Sequence, residues 1–223
     1  MGKIDLEILY EDNHIISAIK PAGVLSQADS SGAPDMLTLL KDYIRVKYSK
    51  PGNVFCGLVH RLDRPTAGVM VFARTSKGAS RLSESIRSGN FDKKYLCVLS
   101  GELTEPRGRL IDFLLKDEKT ITSKVVPERT EGAKKAVLEY SVLKIKEGFS
   151  LVEVSLITGR HHQIRVQFSA LGFPVFGDRK YCDYRGKSEL ALWSSSLSFP
   201  HPTKKETVCI TASPKDIYPF SIF

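Results

Sequence analysis

The stretch His60-Arg61-Leu62-Asp63-Arg64-Pro65-Thr66-Ala67-Gly68 gathers one carboxylate, two arginines and a histidine at the joint between two apolar runs. A carboxylate placed there feels two opposed influences: loss of water raises its pKa, whereas a neighbouring cation lowers it and keeps it ionised. Ionised, Asp63 is a nucleophile or a stabiliser of positive charge; the plainer alternative, commoner at such spacing, is an aspartate that caps its own turn. A second concentration is Arg160-His161-His162-Gln163-Ile164-Arg165. Read as a helix, it sets its two histidines about a hundred degrees apart, which suits one metal ion poorly and favours hydrogen bonding or nucleic-acid contact. Tyr95 follows two lysines in an apolar run, where a tyrosine is ordinarily core.

Other chemistries find no support in the motifs. Gly186-Lys187-Ser188 looks like the end of a phosphate-binding loop, but Tyr181 stands where the first glycine belongs. No Gly-x-Gly-x-x-Gly follows a strand, so a dinucleotide site lacks its loop. Cys56, Cys97, Cys182 and Cys209 occur singly, without a Cys-x-x-Cys pair, and read as buried thiols in a reducing compartment rather than zinc ligands. Neither a metal nor a nucleotide cofactor is expected.

The elements that must hold these residues follow from periodicity and punctuation. Short β-rich runs at Leu6 to Tyr10 and Ile15 to Lys20 flank the turn Glu11-Asp12-Asn13. A polar loop at Ser26 to Pro34 leads to a helix with Leu37, Leu40, Ile44 and Tyr48 in helical spacing, stopped by Pro51-Gly52. Val54 to Leu62 and Gly68 to Ala73 read as two strands joined by 63–66. Thr75 or Ser76 caps a helix running to about Ser88 and closed by Gly89. Strands are predicted at Lys94 to Leu99, Leu110 to Leu115, Lys135 to Lys146 and Phe149 to Ile157, the last two joined by a compact Glu147-Gly148 turn. A helix is predicted over 161–171, ended by Gly172, then a strand at Leu190 to Phe199 and a tail punctuated by Pro and Ser. Hairpin-linked strands outnumber helices. The expected fold is therefore α+β, a mixed, largely antiparallel sheet flanked by helices, in one domain over residues 1–223.

The 33 Lys and Arg against 25 Asp and Glu give a net charge of +8, the balance of a protein that meets polyanions, nucleic acid above all. Basic residues concentrate at 41–50, 74–94 and 179–187. No run approaches the roughly 18 apolar residues of a membrane span. The opening Met1 to Leu6 lacks a signal core, and Leu6 stands where a myristoylation motif wants Ser or Thr. A cytoplasmic, membrane-free monomer is expected.

Residues 60–68 resemble the H-R-L-D-x-x-T-S-G motif of the RluA family of pseudouridine synthases, and four further segments agree in the family's order. Lys20-Pro21-Ala22-Gly23 resembles its K-P-x-G motif, Lys93-Lys94-Tyr95-Leu96 its K-x-Y segment, and residues 156–165 its L-x-T-G-R-x-H-Q-I-R motif, continuing through Gly177-Asp178. Phe199-Pro200-His201-Pro202 is similar to its closing F-x-H-P. Ala67 stands for the usual Ser, Ile19 for a frequent Asn, and His161 for a common Thr. The catalytic-type sequence begins within the first ten residues, without the separate N-terminal RNA-binding domain of many relatives, so substrate choice is expected to rest on this domain.

The resemblance implies an isomerase with a basic central cleft, converting uridines of ribosomal or transfer RNA, or both, to pseudouridine. Asp63 is then the catalytic carboxylate, Arg165 the arginine that pairs with it, and Tyr95 the residue that stacks on the base and assists proton removal. Arg61 matches the position implicated in base extrusion. His60, Arg64, Arg160, His162 and Lys20 fall in the same motifs as RNA-contacting groups, and Leu62 and Ile164 form an apolar wall around the base. The alternative is a non-catalytic, synthase-like RNA-binding or ribosome-assembly factor. A glycoside hydrolase would need a second carboxylate, for which Asp178 and Glu153 are available.

Overall fold

A computed structural model describes residues 5–183, 185–214 and 216–223; the signal-core reading of the first residues lies partly outside that range. Along the chain run β1 (Ile8–Glu11), β2 (Ile15–Lys20), α1 (Met36–Lys47), β3 (Gly57–Leu58), β4 (Ala67–Ala73), α2 (Ser76–Arg87), β5 (Asp92–Ser100), β6 (Arg107–Asp117) and β7 (Thr122–Val126). β8 (Lys134–Lys146), β9 (Phe149–Leu156), α3 (Gln163–Ala170), β10 (Leu192–Pro200) and β11 (Thr207–Thr211) complete the order. The fold is α+β and its sheet is largely antiparallel, as the pattern of hairpins predicts. No helix among the described residues is long and apolar enough to cross a membrane. The chain groups into two compact units, one of residues 1–92 and 194–213, the other of 93–193 and 214–223.

In the first unit, β1 and β2 form a hairpin because Asp12 accepts hydrogen bonds from the His14 and Ile15 amides, at 2.7 and 2.9 Å. Burial opposes the Asp12 charge. The bonds from His14, Ile15 and the His201 imidazole outweigh it and hold this carboxyl at about 2. The closing Phe-Pro-His-Pro motif thus ties down the first turn.

α1 starts where the Asp35 side chain accepts from the Thr38 amide, and it buries Met36, Leu40 and Ile44 in an i, i+4, i+8 stripe. Tyr48 ends it, exposed rather than inward. α2 is capped by the Thr75 hydroxyl on Gly78 N and packs on β3 and β4. β4 is apolar on both faces because β2 pairs along one edge and β10 follows on the other. Gly68, at φ +116°, sits so close to β10 that a Cβ would come 2.3 Å from the Ser194 carbonyl oxygen.

That crowding corrects the strand expected at 54–62, which shrinks to the two residues of β3. β3 pairs with β4 only at Ala73 and Phe72; nearer Gly68 the edge belongs to β10, and the Val71 amide donates instead to the His60 ring. β11, read as tail, pairs antiparallel with β10 and alternates buried Val208 and Ile210 with exposed neighbours.

In the second unit the strand order is β5-β9-β8-β6-β7, every neighbouring pair antiparallel. The β8–β9 turn places Glu147 and Gly148 at φ 54° and 77°, the two positive values of a tight hairpin. α3 packs on β6 and β7, with Val166 against Leu114 and Ala136. It spans 163–170 rather than 161–171, because His162 takes the left-handed conformation, φ 55°, just before it. β7 has no counterpart among the predicted strands: Thr-Ser-Lys-Val-Val carries little apolar alternation and forms by pairing with β6. Of the four cysteines expected to be buried, Cys56 and Cys97 are, and burial pushes the Cys56 thiol up to about 12; Cys182 is half-buried and Cys209 exposed.

Candidate functional site

The Asp63 loop is held by its backbone. Ser26 Oγ donates to the Leu62 carbonyl at 2.8 Å and accepts the Leu62 amide at 3.1 Å. The Gly23 amide donates to the Arg64 carbonyl, Arg64 Nε returns a bond to the Gly23 carbonyl, and the Thr66 amide closes the turn on the Asp63 carbonyl. The Lys20 ammonium, wholly buried, reaches the carbonyls of Pro21, Val24 and Arg64 at 3.0, 2.7 and 3.1 Å. The Lys-Pro-Ala-Gly segment is thereby a clamp on the aspartate loop. Asp63 itself is half-buried, Leu62 is buried beside it, and Arg61 and Arg64 are exposed.

Two residues of this unit expected to contact RNA are bonded to the backbone. Lys20 has no surface to offer a polyanion; its charge orders carbonyls. His60, half-buried, accepts the Val71 amide on Nε2 at 3.1 Å and tilts against Phe91.

In the second unit Tyr95 lies on β5 opposite Val154 and is 6% exposed. Lys93, two residues earlier on the same face, brings Nζ to 3.3 Å of the place where a side chain at Gly159 would begin, and burial lowers its pKa. The segment 158–165 is knotted by Gln163, whose Oε1 accepts from the Thr158 hydroxyl and the Arg160 amide at 2.8 and 2.9 Å. Thr158 Oγ1 in turn accepts the Val137 amide, pinning the turn to β8. Arg160 is exposed, with Nε on the Lys135 carbonyl. Ile164 is buried.

The adjacent histidines are not spread around a helix. Left-handed His162 folds the pair so that the rings stack at 3.7 Å and 26°, correcting the hundred-degree divergence. His161 Nδ1 meets Ser123 Oγ at 2.9 Å, and His162 Nδ1 meets the Tyr181 hydroxyl at 2.6 Å. His162 is only 8% exposed; burial first, then Arg165, His161, Lys180 and Lys116, push its pKa down to about 2 and keep it neutral.

Arg165 makes a bidentate pair with Asp178, Nε to Oδ2 at 2.7 Å and Nη2 to Oδ1 at 2.8 Å, with both side chains buried. Its guanidinium lies 5.1 Å over the Tyr181 ring. Asp178 also accepts the Lys180 and Tyr181 amides. The hydrolytic alternative loses its second carboxylate here: Asp178 serves Arg165, and Glu153 pairs with Lys94 at 3.0 Å. Asp178 and Tyr181 are the partners that sequence reasoning passed over. The signal was Gly177, φ 78°, where a Cβ would stand 2.2 Å from the Glu189 carbonyl oxygen and which fixes the aspartate after it. No group of His, Cys, Asp and Glu among the described residues is arranged to hold a metal.

Comparison with known proteins follows the same residues. Residues 14–170 match the family model described as RNA pseudouridylate synthase. The tRNA pseudouridine synthase C of Haemophilus influenzae is 34% identical over 93% of this chain and 92% of its own length. The ribosomal large subunit pseudouridine synthase C of Buchnera aphidicola is 31% identical over 92% of this chain, which spans 66% of that relative. Among solved structures, human RNA pseudouridylate synthase domain containing 4 superposes with a TM-score of 0.79 at 23% identity, covering 97% of this chain and 90% of that one.

Proposed function

The chain belongs to the RNA pseudouridylate synthase family, and on that premise we propose that it isomerises specific uridines of ribosomal or transfer RNA with Asp63 as the catalytic carboxylate. In this reaction the N1–C1′ bond breaks, the detached uracil turns, a C5–C1′ bond forms, C5 gives up its proton and N1 ends with one. Atoms balance with no external reactant.

The observation that carries the reading is the clamped loop around Asp63. Ser26, Gly23 and buried Lys20 fix the backbone on both sides of the half-buried Asp63, a restraint that supports its reading as a preorganised reacting group. Asp63 acts ionised, as nucleophile or charge stabiliser. Arg165, held edge-on by Asp178, supplies the guanidinium that orients it. Tyr95 stacks on the base and assists removal of the C5 proton, and Leu62 and Ile164 line the apolar wall. Exposed Arg61 takes the extrusion role; Arg64 and Arg160 meet phosphates. Lys20, His60 and His162 are positioning residues. The protein acts as a cytoplasmic monomer without a nucleotide cofactor.

The test is Asp63→Asn, purified and shown to be folded, assayed for pseudouridine in RNA that the parent modifies. A fall in turnover of at least about 1,000-fold, roughly 4 kcal/mol of barrier, is expected. Activity within tenfold of the parent overturns the assignment.

A further inference from the structure

Several of the basic residues that cluster along the sequence are paired with carboxylates in the fold. Arg45 pairs with Asp42, Lys47 and Arg74 with Glu11, Arg87 with Glu84, and Arg185 with Asp183. A different cation group is assembled from residues far apart in sequence. β6 and β7, the residues before β8, and the turn ahead of α3 line a pocket of about 290 Å³ that contains Lys116, Lys134, Arg160 and His161. Its one carboxylate, Glu118, pairs with Lys116 at 2.6 Å. The Lys134 ammonium has no hydrogen bond or ion pair among the described residues, and Arg160 uses only Nε, on the Lys135 carbonyl.

We infer that this pocket binds an RNA phosphate flanking the target nucleotide, with Lys134 and Arg160 as its principal donors and Lys116 beside them. The inference rests on the proposed RNA-modifying function and extends it to a substrate-positioning subsite. Three cations against one carboxylate leave excess positive charge in a concave, solvent-open place, where an anion trades water for several fixed donors. The planar guanidinium of Arg160 suits a phosphate edge, and Ser123 Oγ, bonded to His161, adds a hydroxyl on the same wall. The same charges reach neighbouring His162, whose proton is disfavoured first by burial and then by Arg165, His161, Lys180 and Lys116. Placement fits the purpose: Arg160 lies five residues before Arg165 in the segment that Gln163 knots, so a phosphate held here is held by the segment that delivers Arg165.

The experiment uses the full chain and a fluorescein-labelled, single-stranded, uridine-rich RNA 20-mer, with affinity measured across a sodium chloride series. Lys116→Ala/Lys134→Ala removes two exposed side chains, and its circular dichroism should match the parent. Affinity is expected to fall roughly tenfold, and the plot of log affinity against log salt to flatten by about 0.7 for each phosphate that is no longer neutralised. With an RNA the parent modifies, KM should rise while turnover at saturating RNA is unchanged. A Lys77→Ala/Lys205→Ala control, also exposed, should keep the parental slope. Parental affinity and slope in the Lys116/Lys134 variant overturn the subsite, and if that variant still makes pseudouridine the proposed function stands without it. Loss of polyaspartate binding with RNA binding intact overturns it too, assigning the pocket to an acidic protein segment. Flattened RNA binding in a parent that forms no pseudouridine supports the subsite and rejects the catalytic reading.

Discussion

The loop from His60 to Thr66 and the turn from Thr158 to Arg165 carry similar residues, histidine and two arginines around one buried aliphatic side chain, Leu62 in one and Ile164 in the other. In the loop the scaffold is backbone: carbonyls and amides of residues 23, 62, 63 and 64 are tied by Ser26, Lys20 and each other, and both arginines stay at the surface. In the turn the scaffold is side chain. Arg165 is buried on Asp178, His162 on Tyr181, and Gln163 knots the segment. Charges held by backbone restraints remain available to a substrate, whereas charges that are themselves the restraint couple function to stability. Substitutions of the arginines should therefore separate function from stability in the loop, substitutions of its backbone restraints should not, and in the turn the two merge.

The sharpest break of this contrast is Asp178→Ala. It strands a buried guanidinium and leaves two amides without their acceptor, and should cost about 3–5 kcal/mol of stability by denaturant unfolding. A loss under about 1 kcal/mol would show that Arg165 does not depend on the pair. Lys20→Met is the corresponding test of the loop. Removing an ammonium that holds three carbonyls should cost about 2–3 kcal/mol and lower turnover, while the affinity for RNA and its salt slope stay parental. A changed salt slope would return Lys20 to the RNA-contacting groups.

His162 sharpens the comparison through pH. Its folded pKa, about 2, lies below the unfolded value near 6.5, so the unfolded chain takes up a proton that the native one refuses. The stability linked to its neutral form is complete above pH 6.5 and is lost as pH falls, by up to about 1.4 kcal/mol per unit. Urea midpoints measured from about pH 7.5 to 5 in the parent and in His162→Asn should differ in slope by that amount; equal slopes would place the buried proton elsewhere. The smallest effect belongs to Arg64→Ala. Exposed, with Nε on the Gly23 carbonyl, it should change stability by no more than about 0.5 kcal/mol, yet flatten the salt dependence of RNA binding by about 0.7. An unchanged salt slope would remove Arg64 from the phosphate contacts.

Much of the fold was legible because its cues are local. Asp12 turns the first hairpin, Asp35 and Thr75 start helices within three residues of themselves, and Glu147-Gly148 supplies the positive φ pair of a tight turn. Five motifs in order were enough to point to the reaction class, and Asp63 was visible as the lone carboxylate of its loop. Less legible were β3, β7 and β11, whose extent depends on which sheet edge is already occupied. Val54 to Leu62 has the apolar content of a strand and becomes one for two residues only, since β10 takes the remaining edge of β4.

The sequence by itself determined the turns, the helix caps and the residue types of the candidate site, because each depends on interactions within a few residues of the chain. Tertiary structure decided which of those charges face solvent. Lys20 and His162 are buried, His60 is half-buried with its ring on the Val71 amide, and Arg165 pairs with Asp178 from thirteen residues further on. Likewise Lys116 and Lys134, unremarkable by position, joined Arg160 in one basic pocket. The reason is that desolvation and pairing are set by the neighbours a folded chain brings within a few ångströms, and spacing along the sequence contains no measure of them.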